Sequence, residues 1–171
     1  LHTEAIEKMA GEIESYSWIV LTSNNGVRIF FDTLRKQGKD VRSLADLKFA
    51  VIGAATKEEL EKHGIFADFV PSRYSSRELA AEWIPTLRSD EKVLLARAEE
   101  ASEELSDALK EAGIDYEDVA LYHTAVDQRK SEELNRILPQ VDYVTLCSAS
   151  AVRAYASMLD EAGRQSDPRI I

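Results

Sequence analysis

The chain contains few of the residues that mark several common protein classes. Among its 171 residues there are one cysteine, four prolines and seven glycines. A single thiol, Cys147, excludes an internal disulfide framework and fits a reducing compartment, so we expect a cytoplasmic protein. So few prolines and glycines exclude collagen-like and low-complexity sequences. No apolar run exceeds four residues, as in Trp18 to Leu21, whereas a membrane-spanning helix needs roughly 20.

Positive charge is also scarce. The chain has 21 Lys and Arg against 31 Asp and Glu, a net charge of −10. This balance argues against nonspecific binding to nucleic acid, which needs a basic face. The three histidines, His2, His63 and His123, lack the spacing of metal ligands, so we expect no metal site. Neither a dinucleotide-binding G-x-G-x-x-G nor a phosphate-binding loop is present. The remaining composition, with 44% apolar residues, is that of a globular protein.

Strand-like and helix-like segments alternate over the first two thirds of the chain. Short apolar runs predict five strands: Trp18–Thr22, Lys48–Gly53, Phe66–Val70, Val93–Ala96 and Val119–Tyr122. Apolar residues at helical spacing predict four helices between them, ending near Gly38, Gly64, Arg88 and Gly113. Pro85 is expected to shorten the third helix. This alternation predicts an α/β domain over residues 1–122 with a doubly wound, flavodoxin-like parallel sheet.

The rest of the chain carries a shorter pattern of the same kind. Residues 123–130 form a polar linker, and residues 131–171 predict a helix Ser131–Leu138, a strand Val141–Leu146, a helix Ala149–Leu159 and an opening strand. These elements are too few for an independent domain. We therefore expect part of a second, similar α/β domain, and a chain that is a piece of a longer polypeptide.

Two segments of the chain resemble each other at a constant offset of 125. Residues 19–34 read IVLTSNNGVRIFFDTL and residues 144–159 read VTLCSASAVRAYASML. Apolar matches alone would suit two strand-turn-helix units that converged on one pattern. The matches of Ser23 with Ser148 and of Val27-Arg28 with Val152-Arg153 favour a duplicated domain.

The predicted strand ends indicate where a ligand would bind, because ligands of doubly wound sheets lie beyond the carboxyl ends of the strands. The residues at these ends are mostly hydroxyl-bearing or begin helices: Thr22 to Asn25, Gly53, Ala54, Thr56, Ser72, Tyr74 to Ser76, Arg97 and Tyr122. Such an edge favours an anion held by helix N-termini. Each Ser or Thr alone could be an ordinary helix cap, as expected for Ser23 and Thr56. Cys147 is expected in the core, and His63 as a solvated capping residue.

Six of these motifs, in the same order, resemble uroporphyrinogen-III synthase. They are Val20 to Val27, Ala50 to Thr56, Tyr74 to Ala80, Val93 to Glu99, Val119 to Thr124 and Leu146 to Val152. The resemblance implies two similar α/β domains, with residues 1–122 inserted into the other and residues 131–171 belonging to the second. On this reading both chain ends are missing, and the fragment alone could be inactive.

The resemblance also implies an activity. Members of the family are lyases that cyclise hydroxymethylbilane to uroporphyrinogen III, invert the last pyrrole ring and release water, without a cofactor. By position in the motifs, Tyr122 is the catalytic residue, which assists departure of the hydroxyl. The substrate-binding residues implied are Ser23, Asn24, Thr56, Ser75, Ser76, Arg97 and Ser148.

The implied substrate is a linear tetrapyrrole with eight carboxylates, and the chain itself carries a charge of −10. Long-range repulsion predicts weaker binding at low ionic strength. As partners we expect neither nucleic acid nor membrane; the resemblance suggests a monomer fused to or associated with a uroporphyrinogen methyltransferase. The alternative is a non-catalytic α/β module that binds an anion or another ligand without transforming it.

Overall fold

The computed structural model describes residues 3–165 and 169–170. The chain divides into two compact units, Leu1–Thr124 and Ala125–Ile171. The division falls at the start of the polar segment 123–130. Within the described ranges, every helix is too short or too polar to cross a membrane.

The first unit is built on a four-stranded parallel sheet. Its strands are β1 (Trp18–Leu21), β2 (Lys48–Val51), β3 (Lys92–Ala98) and β4 (Asp115–Tyr122), in the spatial order β2-β1-β3-β4. In the register of the sheet, Ile19 lies between Phe49 and Leu94. The predicted α/β class with a parallel sheet is confirmed, and all four strands end at the same edge.

The third predicted strand, Phe66–Val70, is not formed as a strand. It is reduced to an isolated parallel bridge between Ala50 and Phe69. The Asp68 carboxylate accepts the N–H of Phe49 at 2.8 Å. The N–H of Phe49 is therefore not free to donate to the backbone of the 66–70 segment, as continued strand pairing would require. The pairing stops after one bridge.

Five helices complete the first unit. They are α1 (Thr3–Gly11), α2 (Asn24–Lys36), α3 (Ala54–Glu61), α4 (Ser76–Trp83) and α5 (Glu104–Glu111). Helix α1 was not predicted. Helix α4 gives way to a 3-10 turn, Ile84–Thr86, as expected from Pro85. Gly64 follows α3 with a φ of 79°, a conformation that favours glycine.

Helices cover both faces of the sheet, because successive strand residues point to opposite sides. Ile19 and Leu21 pack in one core with α1, α2 and α3. Trp18 and Val20 pack in the other with α4 and α5. In this second core Trp18 meets Trp83 edge to face, with ring centroids 5.3 Å apart. The unit is thus a three-layer, doubly wound domain whose strand ends form one continuous edge.

The second unit contains short elements. They are α6 (Ser131–Ile137), β5 (Tyr143–Val144), α7 (Ala149–Met158), α8 (Glu161–Gln165) and β6 (Arg169–Ile170). β5 and β6 pair in parallel. The predicted strand Val141–Leu146 is shorter than expected, and Ile171 of the predicted opening strand lies outside the described residues.

Two residue environments differ from their predictions. Cys147 is exposed rather than in the core, because β5 ends at Val144 and residue 147 lies in the loop before α7. His63 is not a solvated cap: its ring stacks on Phe31 with centroids 4.0 Å apart. Partial burial lowers the pKa of His63.

Candidate functional site

Ser23 and Tyr122 meet at the carboxyl edge of the sheet in the first unit. Ser23 Oγ lies 2.7 Å from Tyr122 Oη, although the residues are 99 positions apart in sequence. Ser23 follows β1, Tyr122 ends β4, and both strands flank β3. The two side chains therefore reach toward each other across the end of β3, where Ala98 pairs with Tyr122. This contact is the central feature of the candidate site.

Ser23 is also the N-cap of α2. Its backbone is extended, and its Oγ accepts the N–H of Gly26 at 3.0 Å. This is the predicted N-cap, which satisfies one of the unpaired N–H groups at the start of a helix. A hydroxyl that accepts this bond keeps its own hydrogen and a further lone pair for Tyr122. One side chain therefore connects the α2 N-terminus with the phenol.

Gly26 allows this close arrangement, and sequence reasoning did not select it. A Cβ at this position would lie 3.2 Å from Ser23 Oγ and 3.6 Å from the carbonyl oxygen of Ala96. The first contact is tighter than an ordinary one. A glycine inside the first turn of a helix, where it lowers helix propensity, is the signal that could have identified it.

Thr56 occupies a different position from the one predicted. Gly53 is the N-cap of α3, with an extended backbone, and Thr56 is the third helical residue, 5% exposed. The predicted capping role of Thr56 is wrong because the helix already begins at Ala54. Thr56 still lies in the first turn, where backbone N–H groups lack intrahelical partners. Its contact with substrate stays a prediction.

Asn24, Ser75 and Ser76 lie at the beginnings of two helical segments of the edge. Asn24 is the first residue of α2. Ser75 caps α4 by accepting the N–H of Glu78 at 3.1 Å, and Ser76 is the first helical residue. With α3, three helix N-termini therefore face the carboxyl edge of the sheet.

Arg97 is committed to the protein itself. Its guanidinium donates to the Asp118 carboxylate, with Nε 3.0 Å from Oδ1. It also donates to Ser106 Oγ at 3.3 Å and to the carbonyl oxygen of Ser102. Arg97 is 5% exposed and points toward α5. This geometry speaks against the expected pairing with a substrate carboxylate, because all of its nitrogens already have acceptors.

Ser148 belongs to the second unit. It caps α7 by accepting the N–H of Ala151 at 3.1 Å, and its Oγ lies 3.0 Å from Ser150 Oγ. The side chain is exposed. In its own unit it thus stands at a helix N-terminus, as Ser23 does in the first.

No metal ligand set accompanies these residues. Across residues 3–165 and 169–170, no group of three or more His, Cys, Asp or Glu side chains could hold a metal ion. The edge offers hydroxyls, a phenol and backbone N–H groups. These are groups that bind anions and transfer single protons. The fold is that of a doubly wound α/β protein, and this edge, at the carboxyl ends of the strands, is its candidate ligand-binding site.

Comparison with known proteins identifies the family. The family model described as uroporphyrinogen-III synthase HemD matches residues 2–170. The chain belongs to this family.

Individual relatives agree. The porphyrin biosynthesis protein HemD of Ruminiclostridium josui is 36% identical over 151 residues, which is 86% of this chain and 30% of that protein. The match to the crystal structure of a mutant uroporphyrinogen III synthase from Thermus thermophilus covers 99% of this chain and 67% of that one, with a TM-score of 0.66 and 20% identity. The match to the uroporphyrinogen-III synthetase from Helicobacter pylori covers 91% and 76%, with a TM-score of 0.60 and 19% identity. At 19–20% identity, the solved structures support the fold alone. The chain spans about a third of the length of the curated relative.

Proposed function

We propose that the protein acts as a uroporphyrinogen-III synthase, a lyase that cyclises hydroxymethylbilane with inversion of the last pyrrole ring and loss of water. The observation that carries the proposal is the 2.7 Å contact between Ser23 and Tyr122 at the strand-end edge of a family member. The reaction needs one proton delivered to a leaving hydroxyl and a substrate held in one conformation.

Tyr122 is the proposed proton donor. Its phenol transfers a proton to the departing oxygen of the substrate. As that proton leaves, the Ser23 hydroxyl donates its hydrogen to the phenol oxygen and stabilises the negative charge. Ser23 can do so because its own oxygen stays anchored by the N–H of Gly26. In this role Ser23 supports the phenol in addition to any contact with substrate.

The carboxylates of the substrate bind to the helix N-termini. Backbone N–H groups near Asn24, Thr56, Ser75 and Ser76 supply donors, and the helix dipoles favour negative charge there. Ser148 offers the same chemistry in the second unit. Arg97 is left out of direct contact, because its donors serve Asp118 and α5.

The proposed synthase function also implies a domain organisation and partners. We infer that residues 1–122 form the inserted domain, residues 123–130 the linker and residues 131–171 part of the second domain. We also propose a cytoplasmic monomer that is fused to or associated with a uroporphyrinogen methyltransferase; one observation supports the compartment and one supports the fusion. The lone thiol is exposed, which suits a reducing compartment, and a curated relative has far more chain than is matched here.

The test is the isomer ratio of the product. The protein is given fresh hydroxymethylbilane, and the product is oxidised and separated. Type III isomer in excess over the uncatalysed reaction, which gives type I, is the expected result. Type I alone, both from this chain and from one extended to the length of its relatives, would overturn the proposal and leave a non-catalytic anion-binding module.

The same assay tests the charge balance. A chain at −10 repels a substrate with eight carboxylates, and this repulsion is screened less at low ionic strength. The KM is therefore expected to rise as salt is removed. A KM that falls instead would contradict the predicted net repulsion between the chain and its substrate.

A further inference from the structure

Tyr74 is an exposed aromatic residue beside the proposed site. It lies in the loop before α4, and its side chain is 65% exposed. One side of the ring rests on Gly53, since a Cβ added there would lie 3.6 Å from Tyr74 Cγ. Gly53 is the N-cap of α3. The ring therefore stands over the start of α3, at the carboxyl edge of the sheet.

The loop that carries Tyr74 is held in place on both sides of the ring. Glu82 on α4 accepts the backbone N–H of Ser72 at 2.9 Å and the Ser72 hydroxyl with its other oxygen. Ser75 caps α4, and its N–H donates to the carbonyl oxygen of Arg73 at 2.9 Å. An exposed ring on a loop fixed in this way is already oriented before a ligand arrives, which reduces the cost of binding.

We propose that Tyr74 supplies the surface on which a pyrrole ring of the substrate packs while the starts of α3 and α4 bind its carboxylates. This inference rests on the proposed function. A linear tetrapyrrole consists of flat rings that each carry carboxylate side chains. Helix N-termini can bind the carboxylates, but they offer no apolar surface on which the rings can pack. Tyr74 places a flat ring next to two such N-termini, and aromatic rings attract each other in offset or edge-to-face contact.

The first test compares Tyr74→Ala with Tyr74→Phe, which keeps the ring and removes the hydroxyl. We expect Tyr74→Ala to raise the KM for hydroxymethylbilane about 3- to 10-fold with little change in kcat, the effect of a lost aromatic contact. Tyr74→Phe should behave as the wild type. Equal loss in both variants would assign the effect to the hydroxyl and overturn the proposal, as would a wild-type KM in Tyr74→Ala.

Two further variants separate this role from general damage. Phe66 is 76% exposed in the same unit and lies three residues before Phe69, the residue of the isolated bridge. Phe66→Ala should leave the KM unchanged. Glu82→Ala releases the loop and should raise the KM as Tyr74→Ala does, while a Glu82→Ala variant with wild-type KM would argue against an oriented ring.

Direct binding of uroporphyrin III, followed by its fluorescence, distinguishes failure of the inference from failure of the proposed function. Weaker binding to Tyr74→Ala than to Tyr74→Phe supports the ring contact without any turnover. If the wild type makes type III product but binds uroporphyrin III no better than Tyr74→Ala, only the inference fails. If neither this chain nor one extended to the length of its relatives makes type III product, the proposed function fails, and the inference that rests on it fails with it.

Discussion

Two segments of the molecule have the same local structure and very different surroundings. Ser23 before α2 and Ser148 before α7 have nearly equal backbone angles, φ −155° and ψ 157° against φ −158° and ψ 156°. Each accepts the N–H three residues on, at 3.0 and 3.1 Å. Yet Val27 is fully buried, whereas the matching Val152 is 48% exposed. The cap and the helical spacing determine the local structure, and neighbouring layers determine burial.

The neighbours differ in a simple way. Helix α2 packs on a sheet of four strands and beside α1 and α3, so Val27, Phe30, Phe31 and Leu34 are buried. Helix α7 belongs to a unit in which the described residues form a sheet of two strands, each of two residues. Among its described residues, 149–158, none is buried. The resemblance of the two segments therefore does not extend to their contribution to stability.

The largest expected effect comes from placing a charge at the matched valines. Val27→Asp puts an unpaired carboxylate into the core and should lower the free energy of unfolding by about 3 kcal/mol or more. Val152→Asp should change it by no more than about 0.5 kcal/mol. Urea unfolding followed by tryptophan fluorescence reports the first unit, because Trp18 and Trp83 both lie there. Circular dichroism reports both units. Equal destabilisation by the two substitutions would contradict the difference in burial.

The second-largest effect is expected on kcat, and it distinguishes the roles of the two capping serines in the proposed reaction. Tyr122→Phe should lower kcat on the order of 10²-fold, because the proton donor is lost. Ser23→Ala and Ser148→Ala should each cost about 1 kcal/mol of stability as lost caps. Only Ser23→Ala should also lower kcat, whereas Ser148→Ala should act on the KM alone.

Steady-state kinetics on the three variants distinguish these outcomes. Asp40→Ala serves as the control, because Asp40 caps the 3-10 turn Val41–Leu44 away from the strand ends. It should lose stability without loss of activity. A kcat for Ser23→Ala equal to that of Asp40→Ala would show that the contact with Tyr122 has no catalytic role.

Much of this fold could be predicted from the sequence, because its signals are local. The caps at Ser23 and Ser75, and the helix end at Gly64, depend only on neighbouring residues and appear as expected. The cap expected at Thr56 is a local failure, because α3 begins two residues earlier at Ala54. The prediction of a third strand failed because of a distant partner. The Phe66–Val70 strand is interrupted by the Asp68 carboxylate bound to Phe49.

For the candidate site, too, the sequence indicated local features but not contacts between distant residues. Arg97 was expected to face a ligand, but the strand continues to Ala98 and its pleat turns Arg97 toward α5 and Asp118. Ser23 and Tyr122 were both selected from the sequence. Their contact was not, because it requires the strand order that places β1 and β4 on either side of β3.

Arg28 and the matching Arg153 are expected to differ in how they affect the pH dependence of stability, because Arg28 pairs with Glu59. Hydrogen bonds from Arg28 and Lys62 lower the pKa of Glu59 to about 2. The folded pKa thus lies below the ordinary value of 4.5. The contribution to stability is complete above that value and is lost as the pH falls toward about 2.

Unfolding free energies measured between about pH 5 and about pH 3 test this point. Glu59→Gln should flatten the pH dependence of stability in that range. Arg28→Ala should reduce the dependence, since Lys62 remains at 2.7 Å from Glu59. Arg153→Ala, on exposed α7, is the matched control and should leave it unchanged. An unaltered slope in Glu59→Gln would assign the acid sensitivity to other carboxylates.

The smallest effect concerns Gly26 and its counterpart Ala151. Gly26→Ala gains helix propensity but crowds Ser23 Oγ, so stability should change by less than about 1 kcal/mol. Activity should fall several-fold, because the hydroxyl must shift relative to Tyr122. Ala151→Gly should cost about 0.5–1 kcal/mol in helix propensity. Wild-type activity in Gly26→Ala would show that the position of Ser23 tolerates such a shift.

The placement of the lone cysteine makes the natural chain suitable for energy-transfer measurements. Cys147 is the sole thiol and is exposed in the second unit. Both tryptophans of the chain lie in the core of the first. A thiol-reactive acceptor on Cys147 can therefore receive excitation from Trp18 and Trp83 without removing any other residue. The transfer efficiency with and without an added tetrapyrrole would report whether the distance between the labelled thiol and the tryptophans changes.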